Sequence, residues 1–147
     1  MALQGLPPEM IDPADRPLEA YLLGVIPLDD LVRLQARLAY EISGGGNAAL
    51  ILCEHPPGIS LGRTGSIAHI RLSSEELTHR AWPTYWLSRG GGTLLHLPGQ
   101  VACYPILDLV KCQLTPAEYI NTLNQLAFTV VQQLGIAAEQ RAGHPGV

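Results

Sequence analysis

The residues best placed to do chemistry lie in one phrase, Arg89 to Leu109, which reads RGGGTLLHLPGQVACYPILDL. An arginine stands directly before three glycines, a histidine follows at His96, and Pro98-Gly99-Gln100 leads into the apolar run Val101 to Leu109. Three adjacent glycines cost backbone entropy and pack nothing, so the chain must bend sharply there or let another group come close. Backbone N–H groups in such a loop can receive an oxygen atom, and the missing Cβ atoms let a chain-like ligand pass nearby. The phrase reads as a strand–loop–strand unit lining a pocket, with exposed N–H groups and a cation at its rim. Taken alone, the three glycines read as a hairpin loop with a solvated arginine. His96 could donate a hydrogen bond to a carbonyl, whereas a lone histidine is otherwise a structural hydrogen-bonding residue. Leu94 and Leu95 would suit an aliphatic tail, each buried methylene being worth about 0.8 kcal/mol; they would equally suit ordinary core.

Other reactive side chains have weaker settings. His55, between Glu54 and two prolines, is either a turn histidine bonded to a backbone carbonyl or part of a pocket wall. His69, His79 and His144 are expected at the surface, and Asp108 is expected to cap the turn after its strand. Buried free cysteine behaves as a small hydrophobe, which is the reading for Cys53 and Cys103. Cys112 follows Lys111, the pairing that depresses a thiol pKa, but adjacent side chains need not face one another. Three cysteines without a secretory signal indicate reduced thiols. No cysteine or histidine set has zinc spacing, so no metal is expected.

These residues need a scaffold. Leu18 to Ile26 reads as a first strand, and Pro27 as the first position of a helix running to Ile42, with leucines at helical spacing and a stop at Gly44-Gly45-Gly46. Ala48 to Glu54 reads as a buried strand, which Ile59 to Leu61 briefly resumes after Pro56-Pro57-Gly58. Ser73-Ser-Glu-Glu76 predicts a short capped helix to His79. Thr84 to Ser88, Thr93 to Leu97 and Gln100 to Leu107 read as strands, the last two joined at Pro98-Gly99. Thr115-Pro-Ala-Glu118 starts a long helix, with Gly135 at its C-terminal cap and a strand expected over Ile136 to Arg141. The fold class is α/β (α+β), a mixed sheet with helices packed on it.

The chain has 147 residues, 47% hydrophobic and 15% charged, so it should fold as one domain over residues 18–147. Proline-rich Met1 to Pro17 reads as a flexible arm. A net charge of −4 with Lys111 as the one lysine argues against nucleic acid. No run is long enough to span a bilayer and no signal peptide is evident, so a cytoplasmic location is expected.

The phrase around Arg89 resembles the signature RGGQxTYHGPGQ of the lipoyl(octanoyl) transferases, followed by their YPILDL-like strand. Gly92 stands where the family has glutamine, Leu95 where it has tyrosine, and Leu97 where it has glycine. Glu54 to Arg63, EHPPGISLGR, resembles the family's EHPPVYTLGRR, and Pro145-Gly146-Val147 resembles the start of its PGVWV strand. The likeness covers roughly Leu18 to Val147. It implies the fold shared by octanoyltransferases, lipoate ligases and biotin ligases, C-terminally incomplete. It implies transfer of an octanoyl group from octanoyl-acyl carrier protein to a lysine on lipoyl domains of 2-oxoacid dehydrogenases or glycine cleavage H protein, without metal, nucleotide or other cofactor. It assigns Arg89, Gly90, Gly91, Gly92, Thr93, Leu94, Leu95 and His96 to substrate binding. The family's nucleophilic cysteine and its lysine follow the PGVWV segment and so lie beyond Val147. No catalytic residue is therefore assigned in this chain, which is expected to be inactive alone and poorly soluble. Two alternatives are a non-catalytic acyl or acyl-carrier-protein binding module and an ATP-dependent lipoate ligase relative, whose SGGGAVYHD phrase also carries three glycines.

Overall fold

The structure is a computed structural model describing residues 17–141, 143, 146 and 147. The expected arm up to residue 16, and His144, lie outside them. The chain divides into two compact units, one ending at Ile106 and the other running from Leu107 to Val147.

The first unit begins with β1, Leu18–Val25, and α1, Leu28–Ser43. Leu28, Leu31, Leu38 and Ile42 fall on one face of α1 and are buried, which is what drives the helix onto a sheet. Asp29 and Asp30 complement the positive end of its dipole. Pro27 sits one position earlier than expected, at the N-cap, where its carbonyl accepts the Leu31 N–H at 3.1 Å. An N–H missing there costs the helix no bond.

Strand β2, Ala48–Glu54, alternates: Ala49, Ile51 and Cys53 are buried while Ala48, Leu50, Leu52 and Glu54 are half-buried. It is the central strand of a sheet ordered β1-β2-β6, parallel to β1 and antiparallel to β6, Ala102–Ile106. Helix α1 covers one face of this sheet, over Tyr21, Leu23, Ile51, Cys53, Tyr104 and Ile106. The register pairs Leu22 with Leu52 and Leu52 with Cys103 on the other face, where Leu22 is 76% exposed. Cys103 is therefore exposed, not core as expected from its apolar neighbours.

The second sheet is ordered β4-β3-β5, with β3, Gly58–Leu61, buried throughout at its centre. β4, Thr84–Trp86, runs parallel to it and β5, Thr93–His96, antiparallel. Pairing is mixed, as expected, but it is divided between two sheets, and β5 and β6 do not form a hairpin. The reason lies in Pro56 and Pro57, which cannot donate to a ladder. The stretch Ala48–Leu61 leaves one sheet there and enters the other, so it supplies the central strand of both. Its antiparallel neighbour makes the same crossing between His96 and Ala102. Between β3 and β4 lie a single 3₁₀ turn, Ile67–His69, and α2, Ser74–His79, whose Ser73 and Glu76 form the expected capping box.

In the second unit Asp108 caps its turn, accepting from the Val110 and Lys111 amides at 3.0 and 3.2 Å. Helix α3, Pro116–Gln133, starts with proline in its first turn and the Thr115–Glu118 capping box, and Gly135 follows at φ +74°. The expected strand over Ile136 to Arg141 is irregular. Its Gln140 side chain is engaged with α3 instead, donating to the Asn124 carbonyl at 3.0 Å and accepting from Gln125 at 3.1 Å. Among the described residues no helix is long and apolar enough to cross a membrane.

Candidate functional site

The glycine loop leaves β4 and enters β5, and a second loop, Gly62 to Thr64, leaves β3 directly beside it. The two interlock through the backbone. The amides of Gly62, Arg63 and Thr64 donate to the carbonyls of Gly92, Arg89 and Gly91 at 3.0, 3.0 and 3.1 Å. Arg63 Nη1 reaches the Ser88 carbonyl and Arg89 Nη1 the Gly90 carbonyl, each at 3.0 Å. Every carbonyl from Ser88 to Gly92 is thus an acceptor already in use. The amides of Gly90, Gly91 and Gly92 donate to nothing among the described residues. The loop thus presents unspent donors beside carbonyls that each already accept a bond, a polarity suited to an anionic or carbonyl oxygen. Glycine is needed where the backbones meet: a Cβ on Gly62 would lie 2.5 Å from the Gly91 oxygen, and Gly91 itself has φ +78°.

Beneath this loop is a polar cluster inside an apolar unit. His55, His96 and Ser60 are 3%, 8% and 0% exposed. Ser60, at the centre of β3, lies 2.8 Å from His96 Nε2 through its hydroxyl. Arg89 Nη2 donates to the same hydroxyl at 2.8 Å and to the Ser60 carbonyl at 2.9 Å. Arg89 Nε is buried without a partner among the described residues. The expected cation at the rim is therefore turned inward on β3, and the exposed guanidinium beside the loop is that of Arg63.

His55 ties the two sheets together at the crossing. Its Nδ1 lies 2.8 Å from the Ile26 carbonyl, beyond the end of β1, and its Nε2 lies 2.9 Å from the Tyr104 hydroxyl on β6. Its ring meets the His96 ring edge-on at 5.2 Å between centroids. The backbone-carbonyl reading of His55 holds, and its ring also stands beside His96. The Glu54 carboxylate accepts the Gly99 amide at 2.7 Å, and Gln100 Oε1 accepts the Leu97 amide at 2.8 Å, fixing the turn after His96.

The electrostatics favour neutral groups. Burial, then the neighbouring His55 and Arg89, hold the His96 imidazole below its ordinary pKa. Burial, then Cys53, push the Tyr104 phenol up, so it keeps the proton it shares with His55. Burial also raises the thiol of Cys53, the opposite of what a nucleophilic cysteine requires. Lys111 lies 3.6 Å from Asp108, and Cys112 is half-buried.

Of the residues picked out from sequence, Arg89 through His96 form one continuous loop and strand. Thr93 Oγ1 donates to the Ser66 carbonyl at 3.2 Å. Leu94 and Leu95 are 51% and 41% exposed, so neither is ordinary core. His69 and His79 are at the surface, as expected. Ser60, Arg63 and the Tyr104 hydroxyl went unassigned. Ser60 and Arg63 lie inside the phrase that begins at Glu54, and Tyr104 opens YPILDL; those phrases were the only signal.

Residues 29–147 match the family described as the lipoyl protein ligase A/B catalytic domain. An octanoyltransferase of Roseiflexus sp. (strain RS-1) is 33% identical over 133 residues, covering 90% of this chain and 55% of that protein. One of Maridesulfovibrio salexigens is 32% identical over 126 residues, covering 85% of this chain and 59% of that protein. The chain thus spans somewhat more than half the length of these curated relatives. Among solved structures, a bi-partite lipoate protein ligase from Thermoplasma acidophilum superposes with a TM-score of 0.61 at 17% identity, covering 85% of this chain and 49% of that one. With the interlocked glycine loops, the His96 strand and these matches in hand, the chain belongs to the lipoyl protein ligase A/B catalytic domain family, as part of an octanoyltransferase-type sequence.

Proposed function

We propose that this chain forms the acyl-binding part of an octanoyl transfer site for protein lipoylation. The substrate would be octanoyl-acyl carrier protein, and the acceptor a lysine of a lipoyl domain in 2-oxoacid dehydrogenases or glycine cleavage H protein. In the reaction a thiolate attacks the thioester carbonyl and releases the carrier thiol; the lysine amine then attacks the new thioester, forms the amide and releases the thiolate. The observation that carries the reading is the loop whose three glycine amides are unspent donors, followed directly by His96 and by the half-exposed Leu94 and Leu95. Donors for an oxygen beside apolar side chains for a tail match an acyl thioester. The substrate-binding set is Arg89, Gly90, Gly91, Gly92, Thr93, Leu94, Leu95 and His96, with Arg89 acting from behind through Ser60.

The nucleophilic cysteine and its lysine are to be supplied from outside residues 1–147, in a cytoplasmic enzyme whose catalytic domain begins near residue 18. A second reading, a binding module without transfer, is favoured by the raised thiol of Cys53 and by the full burial of Ser60. One experiment separates them: the chain is mixed with octanoyl-acyl carrier protein and a lipoyl domain, and masses are followed. Binding without transfer, converted to transfer when a segment carrying cysteine and lysine is joined after Val147, supports the proposal. Binding that never converts supports the module. No binding at all refutes both, and octanoate incorporation that requires ATP would reassign the chain to ligase chemistry.

A further inference from the structure

Hydrogen-bond valence around Ser60 determines where the proton on His96 resides. The Arg89 guanidinium can only donate, and its Nη2 donates to Ser60 Oγ at 2.8 Å. The hydroxyl is fully buried and has no third partner among the described residues, so its own proton has only its other neighbour to go to, His96 Nε2, also at 2.8 Å. A nitrogen that accepts a hydrogen bond carries no proton, so the neutral ring carries its hydrogen on Nδ1. Nδ1 has no hydrogen-bond partner among the described residues and does not figure among their fully buried orphan atoms. A parallel chain orients the adjacent ring: the Ile26 carbonyl can only accept, so His55 Nδ1 donates to it, and in the neutral ring Nε2 accepts from the Tyr104 hydroxyl.

We infer that Ser60 and Arg89 are positioning residues that lock His96 in the tautomer protonated on Nδ1, leaving that N–H as the side-chain donor offered to the carbonyl oxygen of an acyl thioester. The order is guanidinium to hydroxyl to imidazole to substrate, each group fixing the donor or acceptor role of the next. It explains why an arginine at the start of a substrate loop points away from solvent: it sets the hydroxyl, not the ligand. It also gives the fully buried Ser60 a task that its burial does not forbid, since it need never meet substrate. The tautomer assignment stands on geometry alone; its use toward a thioester rests on the acyl-binding reading above.

The test is ¹⁵N nuclear magnetic resonance of the full chain labelled at histidine, at neutral pH, with His96 identified from the spectrum of His96→Asn. Two-bond nitrogen–proton correlations distinguish the tautomers directly. The parent is expected to have a protonated Nδ1 and an unprotonated Nε2 on His96. Ser60→Ala removes the group that keeps Nε2 an acceptor and should move the proton to Nε2 in most molecules, while Ser60→Thr, which retains the hydroxyl, should restore the parent pattern. A parent His96 protonated on Nε2 overturns the relay even if neither variant folds, and so does a folded Ser60→Ala that keeps its proton on Nδ1. Adding the octanoyl thioester of pantetheine should then shift the His96 Nδ1 proton downfield. A confirmed tautomer with an unmoved proton at saturating thioester overturns the substrate half and counts against the acyl-binding reading, not against the relay.

Discussion

Replacing Gly62 by alanine probes the contact on which the two loops depend. The added Cβ would sit 2.5 Å from the Gly91 oxygen, 2.8 Å from the Gly90 oxygen and 2.9 Å from Arg89 Nη1. Two of these are backbone atoms that cannot rotate away, so the loops must part. Overfilling a close-packed site costs about 1–3 kcal/mol. The parting also strains the three interloop amide bonds, each worth about 1 kcal/mol net, and losing two of them adds about 2 kcal/mol. Alanine returns about 0.4–1 kcal/mol by restricting the unfolded chain. The balance is a loss of about 2–4 kcal/mol. With a urea dependence of about 2 kcal/mol per molar, mid-range for domains of this size, the unfolding midpoint should fall by about 1–2 M. Two neighbours serve as controls in the same titration. Gly92→Ala meets nothing within 4 Å and has no positive φ, so it should be neutral or stabilising by up to about 1 kcal/mol. Gly91→Ala is forced into φ +78° and should lose about 1–2 kcal/mol. A Gly62→Ala chain as stable as the parent, or Gly92→Ala equally damaged, would refute the interlock.

Three further outcomes follow from named groups. Because the His96 pKa in the fold lies below its ordinary 6.5, the unfolded chain binds more protons between the two values. The stability from the neutral ring is complete above 6.5 and is lost as pH falls through the folded value; melts at descending pH should show this slope, and His96→Asn should flatten it. Thr115→Ala breaks the capping box of α3 and should cost about 1 kcal/mol, read as helix fraying by circular dichroism and amide exchange. Cys103 should label with a thiol reagent in the folded chain, while Cys53, buried and with its thiol pKa raised, should label only as the chain unfolds.

Local features were legible in the sequence because a few adjacent residues carry them. The boxes at Ser73 and Thr115, the leucine stripe of α1 and the turn cap at Asp108 each depend on groups within one turn of one another. The passage of β5 and β6 into different sheets depends on partners in β3 and β2 far along the chain. The same holds for Cys103, whose apolar neighbours hide which face of the sheet it takes. At the site, Gly90 to Gly92 and His96 stood out because Arg89, the glycine run and the histidine fall together in one short phrase. Ser60 did not, since a serine in a short apolar run looks like any other; only the arrival of Arg89 and His96 from β5 and its loop makes it a junction.

One peptide, Ala48–Leu61, lies at the centre of both sheets. Hydrogen exchange should find the slowest amides of the first unit within it, since a central strand is released only when its whole sheet opens. Pro56 and Pro57 carry no amide proton and divide that record into two halves. If both halves exchange with the same opening free energy, the crossing at His55 makes the two sheets a single cooperative unit; if the Gly58–Leu61 half opens first, the sheet that carries the glycine loops can loosen while the α1 core stays closed.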